Sequence, residues 1–344
     1  MPRAGKVAVL GAGSWGTAVA TICAASAPTV LWARRPELAS DICRHHRNAS
    51  YLPDLELPAQ LDATASIEEA VTDAALVVMA VPSHGFRHIL EQAAPAVRPG
   101  VPVISLAKGL EQGSLARMTE VAGQVLPDHP AGVLTGPNLA REVVAGQPTA
   151  SVVAIDDAEL AREVQDLLST DTFRVYTNDD VVGCEIAGAL KNVIAIAAGM
   201  ADGMGFGDNS KAALITRGLA ELARLGVAMG GNPLTFGGLA GMGDLVATCI
   251  SAQSRNRHVG HQLGEGRVLA DVIADMKMVA EGVKTAPSVL ELAGRHGVEV
   301  PIVEQVVEVL DGRKAARDII PALMRRQAKP ELQGLDLQDA EERP

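Results

Sequence analysis

The 344-residue chain is short of aromatics, with 2 Trp, 2 Tyr and 4 Phe. So sparse a set argues against stacking platforms for single-stranded nucleic acid. Positive charge is not in surplus either: 30 Lys and Arg face 41 Asp and Glu, for a formal charge of −11. Binding to nucleic acid or to an anionic membrane rests on excess Lys and Arg, so neither is an expected partner. Cysteine is scarce and scattered. Cys23, Cys43, Cys184 and Cys249 form no C-x-x-C pair, which fits a reducing compartment better than a disulfide framework. Even the apolar stretch 186–201 is interrupted by Lys191 and Asn192, so no membrane span is expected.

Several catalytic signatures are missing as well. There is no G-x-S-x-G elbow and no P-loop, which leaves hydrolase and P-loop chemistry without an anchor. No metal site is expected. His45 and His46 are adjacent, His84 and His88 lack the Glu of H-E-x-x-H, and His258 and His261 have no obvious third ligand. What is present is ordinary globular composition, 48% hydrophobic and 21% charged, over a length suited to about two domains. The first 27 residues superficially fit a signal peptide, with Arg3, Lys6 and the small triplet Ala25, Ser26 and Ala27. Gly11, Gly13, Ser14 and Gly16 break that run, and they have a better explanation. A cytoplasmic protein acting on a small molecule is the expectation.

Strand candidates fall at 6–10, 30–32, 76–81, 101–106, 132–135, 150–154 and 173–176, with helical character between several of them. Such alternation implies βαβ units and a mostly parallel, doubly wound sheet. From about Gly183 helix follows helix, at 184–200, 211–229, 287–296 and 302–310. Gly-rich loops are expected at 201–209 and 230–243. The fold class is therefore α/β then all-α. Residues 1–182 form the dinucleotide-binding domain, 183–330 an all-helical substrate and catalytic domain, and 331–344 a disordered acidic tail. That tail holds five acids and one arginine.

Gly11, Gly13 and Gly16 spell G-x-G-x-x-G around Ser14 and Trp15, directly after a predicted strand and opening a predicted helix. In that context Gly11 permits the tight turn, Gly13 admits a pyrophosphate to the backbone, and Gly16 allows close helix–strand packing. The helix N-terminus offers N–H groups and a positive dipole end to the phosphates. NAD-selective sites usually place an acid after the second strand, to bind the ribose 2′-hydroxyl. Arg34 and Arg35 stand there instead, which favours a 2′-phosphate and hence NADP over NAD. The plainer alternative is two exposed arginines with Glu37 nearby for a surface pair.

A nicotinamide enzyme acting on a carbonyl needs a proton donor near the oxygen. Lys191 lies inside an apolar helical segment. Either it is buried, where desolvation would lower its pKa toward a useful range, or it snorkels to the surface. Spacing leaves both open. Lys108 follows the 101–106 strand, where a parallel sheet presents its carboxyl ends. Asp244 reads most simply as a helix N-cap. Ser254, Arg255, Asn256 and Arg257 gather donors that could clamp a phosphate, with a solvated basic loop as the alternative.

Taken together, several segments resemble one family. In order they are G-A-G-S-W-G-T-A at 11–18, V-P-S-H at 81–84, A-K-G-L-E at 107–111 and T-G-P-N at 135–138. The series continues with G-A-L-K-N-V-I-A-I-A-A-G at 188–199, N-S-K-A-A-L-I-T-R-G at 209–218 and G-M-G-D-L-V-A-T-C at 241–249. Q-S-R-N-R at 253–257 and V-A-E-G-V-K-T at 279–285 complete it. The set is similar to bacterial-type NAD(P)-dependent glycerol-3-phosphate dehydrogenase, over about residues 6–325.

The resemblance implies a Rossmann-type domain followed by a helical domain, often in a homodimer. It implies reversible hydride transfer between NAD(P)H and dihydroxyacetone phosphate, serving glycerophospholipid synthesis. By resemblance Lys191 is the general acid/base. Lys108, Gly136, Asp244, Ser254, Arg255 and Asn256 line the substrate site. Gly11, Gly13, Ser14, Trp15, Gly16, Arg34, Arg35, Lys108, Ala140, Arg255, Val279 and Glu281 meet the cofactor. Thr135, Leu139 and Ala187 depart from the usual family residues and put local packing in question. A sister dehydrogenase acting on a hydroxy acid or a ketopantoate-like substrate, and a non-catalytic NAD(P) sensor, are the competing functions.

Overall fold

The computed structural model describes residues 5–276, 280–327 and 330. Val279 and the 331–344 tail, both named above, lie outside the described residues. The chain divides into two compact units: Met1–Glu111 with Ala116–Val181, and Gln112–Leu115 with Val182–Pro344.

The first unit is built on β1 (Lys6–Leu10), β2 (Thr29–Trp32), β3 (Arg47–Asn48), β4 (Leu52–Glu56) and β5 (Leu61–Thr64). It continues with β6 (Ala74–Met79), β7 (Val103–Ser105), β8 (Ala131–Thr135), β9 (Thr149–Ile155) and β10 (Phe173–Asn178). Its helices are α1 (Ser14–Ala24), α2 (Pro36–His45), α3 (Ile67–Val71), α4 (Ser83–Ala93), α5 (Met118–Val125), α6 (Ala140–Val144) and α7 (Ala158–Leu168). The main sheet runs β10-β9-β8-β7-β6-β1-β2-β5. Every neighbouring pair is parallel except β8 with β9. This is the doubly wound Rossmann-type sheet that the alternation implies.

Residues on β1 show why its sequence is continuously apolar. Val7 and Val9 enter one core with Val19, Ile22 and Leu31. Ala8 and Leu10 enter another with Val77, Met79 and Phe86. A strand covered on both faces has no polar side to display. The chain order reverses at β1, which lies between β2 and β6, and ligands of such sheets bind past the carboxyl ends of the strands at that point. The β5 strand and the antiparallel β3–β4 pair were not foreseen. β5 (L-D-A-T) is an edge strand with an exposed Asp62, and Asp54 and Glu56 face solvent on β4. Edge positions do not impose an apolar run.

The second unit is helical: α8 (Val181–Gly203), α9 (Asp208–Ala228), α10 (Pro233–Gly237), α11 (Asp244–Ile250) and α12 (Arg255–Gly264). It ends with α13 (Leu269–Asp275), α14 (Glu281–Arg295), α15 (Pro301–Leu310) and α16 (Ile319–Met324). Contrary to the expected loop at 230–243, α10 forms there and a π-helical segment, Leu239–Gly243, leads directly into α11. Asn232 caps α10 by accepting the Leu234 N–H, and Pro233 suits the first helical position, so local signals override the glycines. By length and composition α8 could cross a membrane, despite Lys191 and Asn192. Its most apolar window is 94% buried within the fold, as the core helix of a globular protein would be. The four cysteines are free thiols, with only Cys43 exposed.

Glu221 of α9 is buried and accepts hydrogen bonds from the Ile302 and Val303 N–H groups at 2.7 and 3.3 Å, at the start of α15. Burial pushes its carboxyl up to about 7, against the downward pull of those two bonds and of Arg224. The folded chain therefore holds a proton that the unfolded chain has released between about pH 4.5 and 7. Stability from this group is full below that window and lost as pH rises through about 7. Thermal melts of the native chain and of Glu221→Gln should show the native chain losing about 2–3 kcal/mol relative to the variant between pH 5 and 8. A difference that stays flat with pH would contradict this.

Candidate active site

In the first unit the glycine loop joins β1 to α1, and each glycine has its own steric reason. Gly11 has φ +127°, a conformation L side chains rarely adopt. A Cβ on Gly16 would strike the Gly11 carbonyl and Ala80 Cβ, so this helix can approach its strand only with glycine there. On Gly13 a Cβ would meet nothing within 4 Å. That open space, at the N-cap of an 11-residue helix with no side-chain cap, leaves room and donors for a phosphate. The Trp15 Nε1 is buried without a partner, a donor left over beside the loop. These features fit a dinucleotide.

The loop is braced from a distance. Asn48 is buried and donates to the Ala12 carbonyl at 3.0 Å and to Thr17 Oγ1 at 2.8 Å, while Ser14 Oγ donates to the Tyr51 carbonyl at 3.3 Å. Asn48 was missed by sequence reasoning, because nothing in a lone Asn signals a partner 31 to 36 residues away. Arg34 and Arg35 follow β2 on the surface, and Arg35 Nη2 donates to Ser50 Oγ at 2.8 Å. Lys108 and Gly136, expected near the same ligands, come together: Lys108 Nζ donates to the Gly136 carbonyl at 2.9 Å. Gly136 has φ +131°, and Ala140 opens α6. Asn138 Nδ2 donates to Ser151 Oγ, whereas its Oδ1 is buried without a partner.

In the second unit Lys191 lies on the buried helix α8 and is 5% exposed, which rules out snorkelling. Its ammonium pairs with Asp244 Oδ1 and donates to Thr248 Oγ1 at 2.7 Å. Thr248 donates in turn to the Asp244 carbonyl at 2.6 Å, so its hydroxyl is turned to accept from the lysine. Asp244 is not a cap. The chain at Gly243 is already helical (φ −58°, ψ −51°), and the carboxylate sits 1% exposed on the first turn of α11. The π segment sets that position. Gly243 donates to the Gly238 carbonyl five residues back, and a Cβ on Gly241 would strike the backbone of Phe236. A buried ion pair is costly to desolvate and adds little net stability, so its presence points to chemistry. Adjacent Cys249 is no competitor, because burial pushes its thiol up to about 12.

Residues 254–257 begin a helix rather than a basic loop. Ser254 is the N-cap of α12 and accepts the Arg257 N–H at 3.2 Å. Arg255 is exposed at the first helical position, and Asn256 is buried. Asn256 Nδ2 donates to Asn192 Oδ1, and its Oδ1 accepts the Gly282 N–H, both at 2.9 Å. Gly282 must be glycine, since a Cβ would meet the Asn192 carbonyl at 2.7 Å. Glu281 opens α14 beside it. Thr248 was not singled out from sequence, and Asn192 was noted only beside Lys191 in the apolar helix, with no role of its own. The i, i+4 spacing of Asp244 and Thr248 was the available signal.

A cavity of about 1120 Å³ in this unit is lined by Leu214, Glu221, Ile302 and Leu323 and includes none of these polar groups, so size does not mark the chemistry. No group of three or more metal-ligating side chains occurs among the described residues.

Two family models match the chain. Residues 6–161 match the family model described as NAD-dependent glycerol-3-phosphate dehydrogenase N-terminus, and residues 180–321 match that of its C-terminus. The chain is 57% identical over 320 residues to the NAD(P)+ glycerol-3-phosphate dehydrogenase 2 of Sphingopyxis alaskensis, covering 93% of this chain and 96% of that one. It is 54% identical to the Mycobacterium avium enzyme of the same description, over 90% and 91% of the two chains. The crystal structure of glycerol-3-phosphate dehydrogenase from Coxiella burnetii superposes with a TM-score of 0.91 at 35% identity, over 94% of this chain and all of that one.

Proposed function

The chain belongs to the NAD-dependent glycerol-3-phosphate dehydrogenase family, and from that premise we propose that it reversibly reduces dihydroxyacetone phosphate to sn-glycerol 3-phosphate with NAD(P)H. The observation that carries the proposal is the buried Lys191–Asp244–Thr248 cluster on α8 and α11. Lys191 as ammonium donates its proton to the carbonyl oxygen, and as neutral amine it takes the hydroxyl proton in the reverse direction. Asp244 and Thr248 fix the aim of Nζ. Arg255, the remaining N–H of Asn256 and the N-terminus of α12 hold the substrate phosphate, whose binding energy positions the reacting carbon. Lys108, braced on Gly136, contributes a further cation. Ala140, Val279 and Glu281 are assigned to the cofactor with the glycine loop.

The cofactor supplies the hydride when bound. We assign NADP as the preferred form, with Arg34 and Arg35 at the 2′-phosphate. The decisive assay is oxidation of NADPH and NADH, followed by absorbance, with dihydroxyacetone phosphate as acceptor. Hydroxy-acid and ketopantoate-like substrates run alongside it to test for the sister activity. Replacing both arginines by alanine should raise KM for NADPH at least about tenfold and leave KM for NADH nearly unchanged. An unchanged NADPH preference would sink the NADP assignment. The homodimer and the cytoplasmic role in supplying the glycerophospholipid backbone belong to the same proposal, and sedimentation and cell fractionation check the first two.

A further inference from the structure

Asp202, near the C-terminal end of α8, is 11% exposed and holds two cations at once. Its Oδ2 accepts from Arg257 Nε at 2.7 Å and pairs with Arg257 Nη2 at 2.6 Å, while its Oδ1 lies 3.3 Å from Lys211 Nζ. The carboxylate thus joins α8 to the first turns of α9 and α12. Arg257 is two residues past Arg255, and its own N–H is taken by the Ser254 cap.

Helices α8 and α12 meet through glycines. A Cβ on Gly199 or Gly203 of α8 would strike the carbonyls of Arg257 or His261. One on Gly260 or Gly264 of α12 would strike those of Ile196 or Met200. Backbone contact of this kind fixes the distance between the two helices. It also fixes which face of α12 meets α8, and Asn256 is held by Asn192 and Gly282. The freedom left is fraying of the first turn, where the exposed Arg255 stands. A guanidinium fork on a carboxylate is a directional tie that removes the remaining freedom. As a partly exposed ion pair it adds little to stability, so direction rather than strength accounts for the arrangement.

We propose that Asp202 is a positioning residue for substrate-phosphate recognition, acting through Arg257 to set the first turn of α12. This rests on the assignment of the phosphate to Arg255 and Asn256. The readout is the ratio of kcat/KM for dihydroxyacetone phosphate to that for unphosphorylated dihydroxyacetone. A merely structural defect lowers both and leaves the ratio alone.

Asp202→Asn should raise KM for dihydroxyacetone phosphate about tenfold with kcat within about threefold, leave KM for NADPH unchanged, and lower the ratio about tenfold. Arg257→Lys keeps the charge without the fork and should lower the ratio in the same sense. If Asp202→Asn fails to accumulate, Arg257→Lys alone carries the test. The double variant should be no worse than the more affected single one, since both break the same tie. An unchanged ratio, or effects that multiply in the double variant, would overturn the proposal. Arg255→Ala separates this from the underlying assignment. If it too leaves the ratio intact, the phosphate site itself is wrongly placed; if it collapses the ratio while Asp202→Asn does not, only the role of Asp202 fails.

Discussion

Lys191→Ala should lower turnover at least about a hundredfold in either direction, the usual scale for loss of a general acid. The side chain is enclosed by α8 and α11, and its ammonium is aimed by Asp244 and Thr248. Because the variant also leaves a carboxylate short of its cation, the measurement must be made on protein shown to be folded. NADPH binding, followed by its fluorescence, provides the control. The residues assigned to the cofactor's phosphates and ribose are Gly11, Gly13, Gly16, Arg34 and Arg35, all in the first unit. Turnover near normal with binding intact would remove Lys191 from its role.

Asp244→Ala should cost about 3–5 kcal/mol of stability, because it takes the carboxylate from a buried ammonium. The ammonium of Lys191 then loses its carboxylate partner and keeps the neutral Thr248 hydroxyl. Replacing both charges by apolar residues, Lys191→Met with Asp244→Leu, should recover most of that stability while turnover stays lost. Denaturant melts and steady-state rates on the three variants separate the two properties. Full stability in Asp244→Ala would mean that the pair is not the electrostatic unit described. Recovered turnover in the double variant would mean that catalysis does not pass through it.

What could be read from the chain follows from how locally each feature is determined. β1 and β6 announce themselves because a strand buried on both faces must be apolar throughout. The glycine loop is equally local: a positive φ at Gly11 and contact between Gly16 and the Gly11 carbonyl are demands on residues within one turn of chain. β5 was invisible because an edge strand is under neither demand, and the 230–243 glycines concealed α10 and the π segment. Composition also limited the partners, and motif order pointed to the family.

The sequence by itself determined the alternation of strands and helices, the dinucleotide loop and the presence of one lysine in an apolar helix. Tertiary structure decided what that lysine is. Whether Lys191 snorkels or pairs depends on Asp244 and Thr248, 53 and 57 residues away. Their approach is set by a π turn that single-residue propensities do not encode. The same holds for Asn48 on the glycine loop and for Asp202 on Arg257, 55 residues apart. Each is a polar contact made by folding, and a hydrogen bond between distant residues leaves no periodicity in the chain to be read.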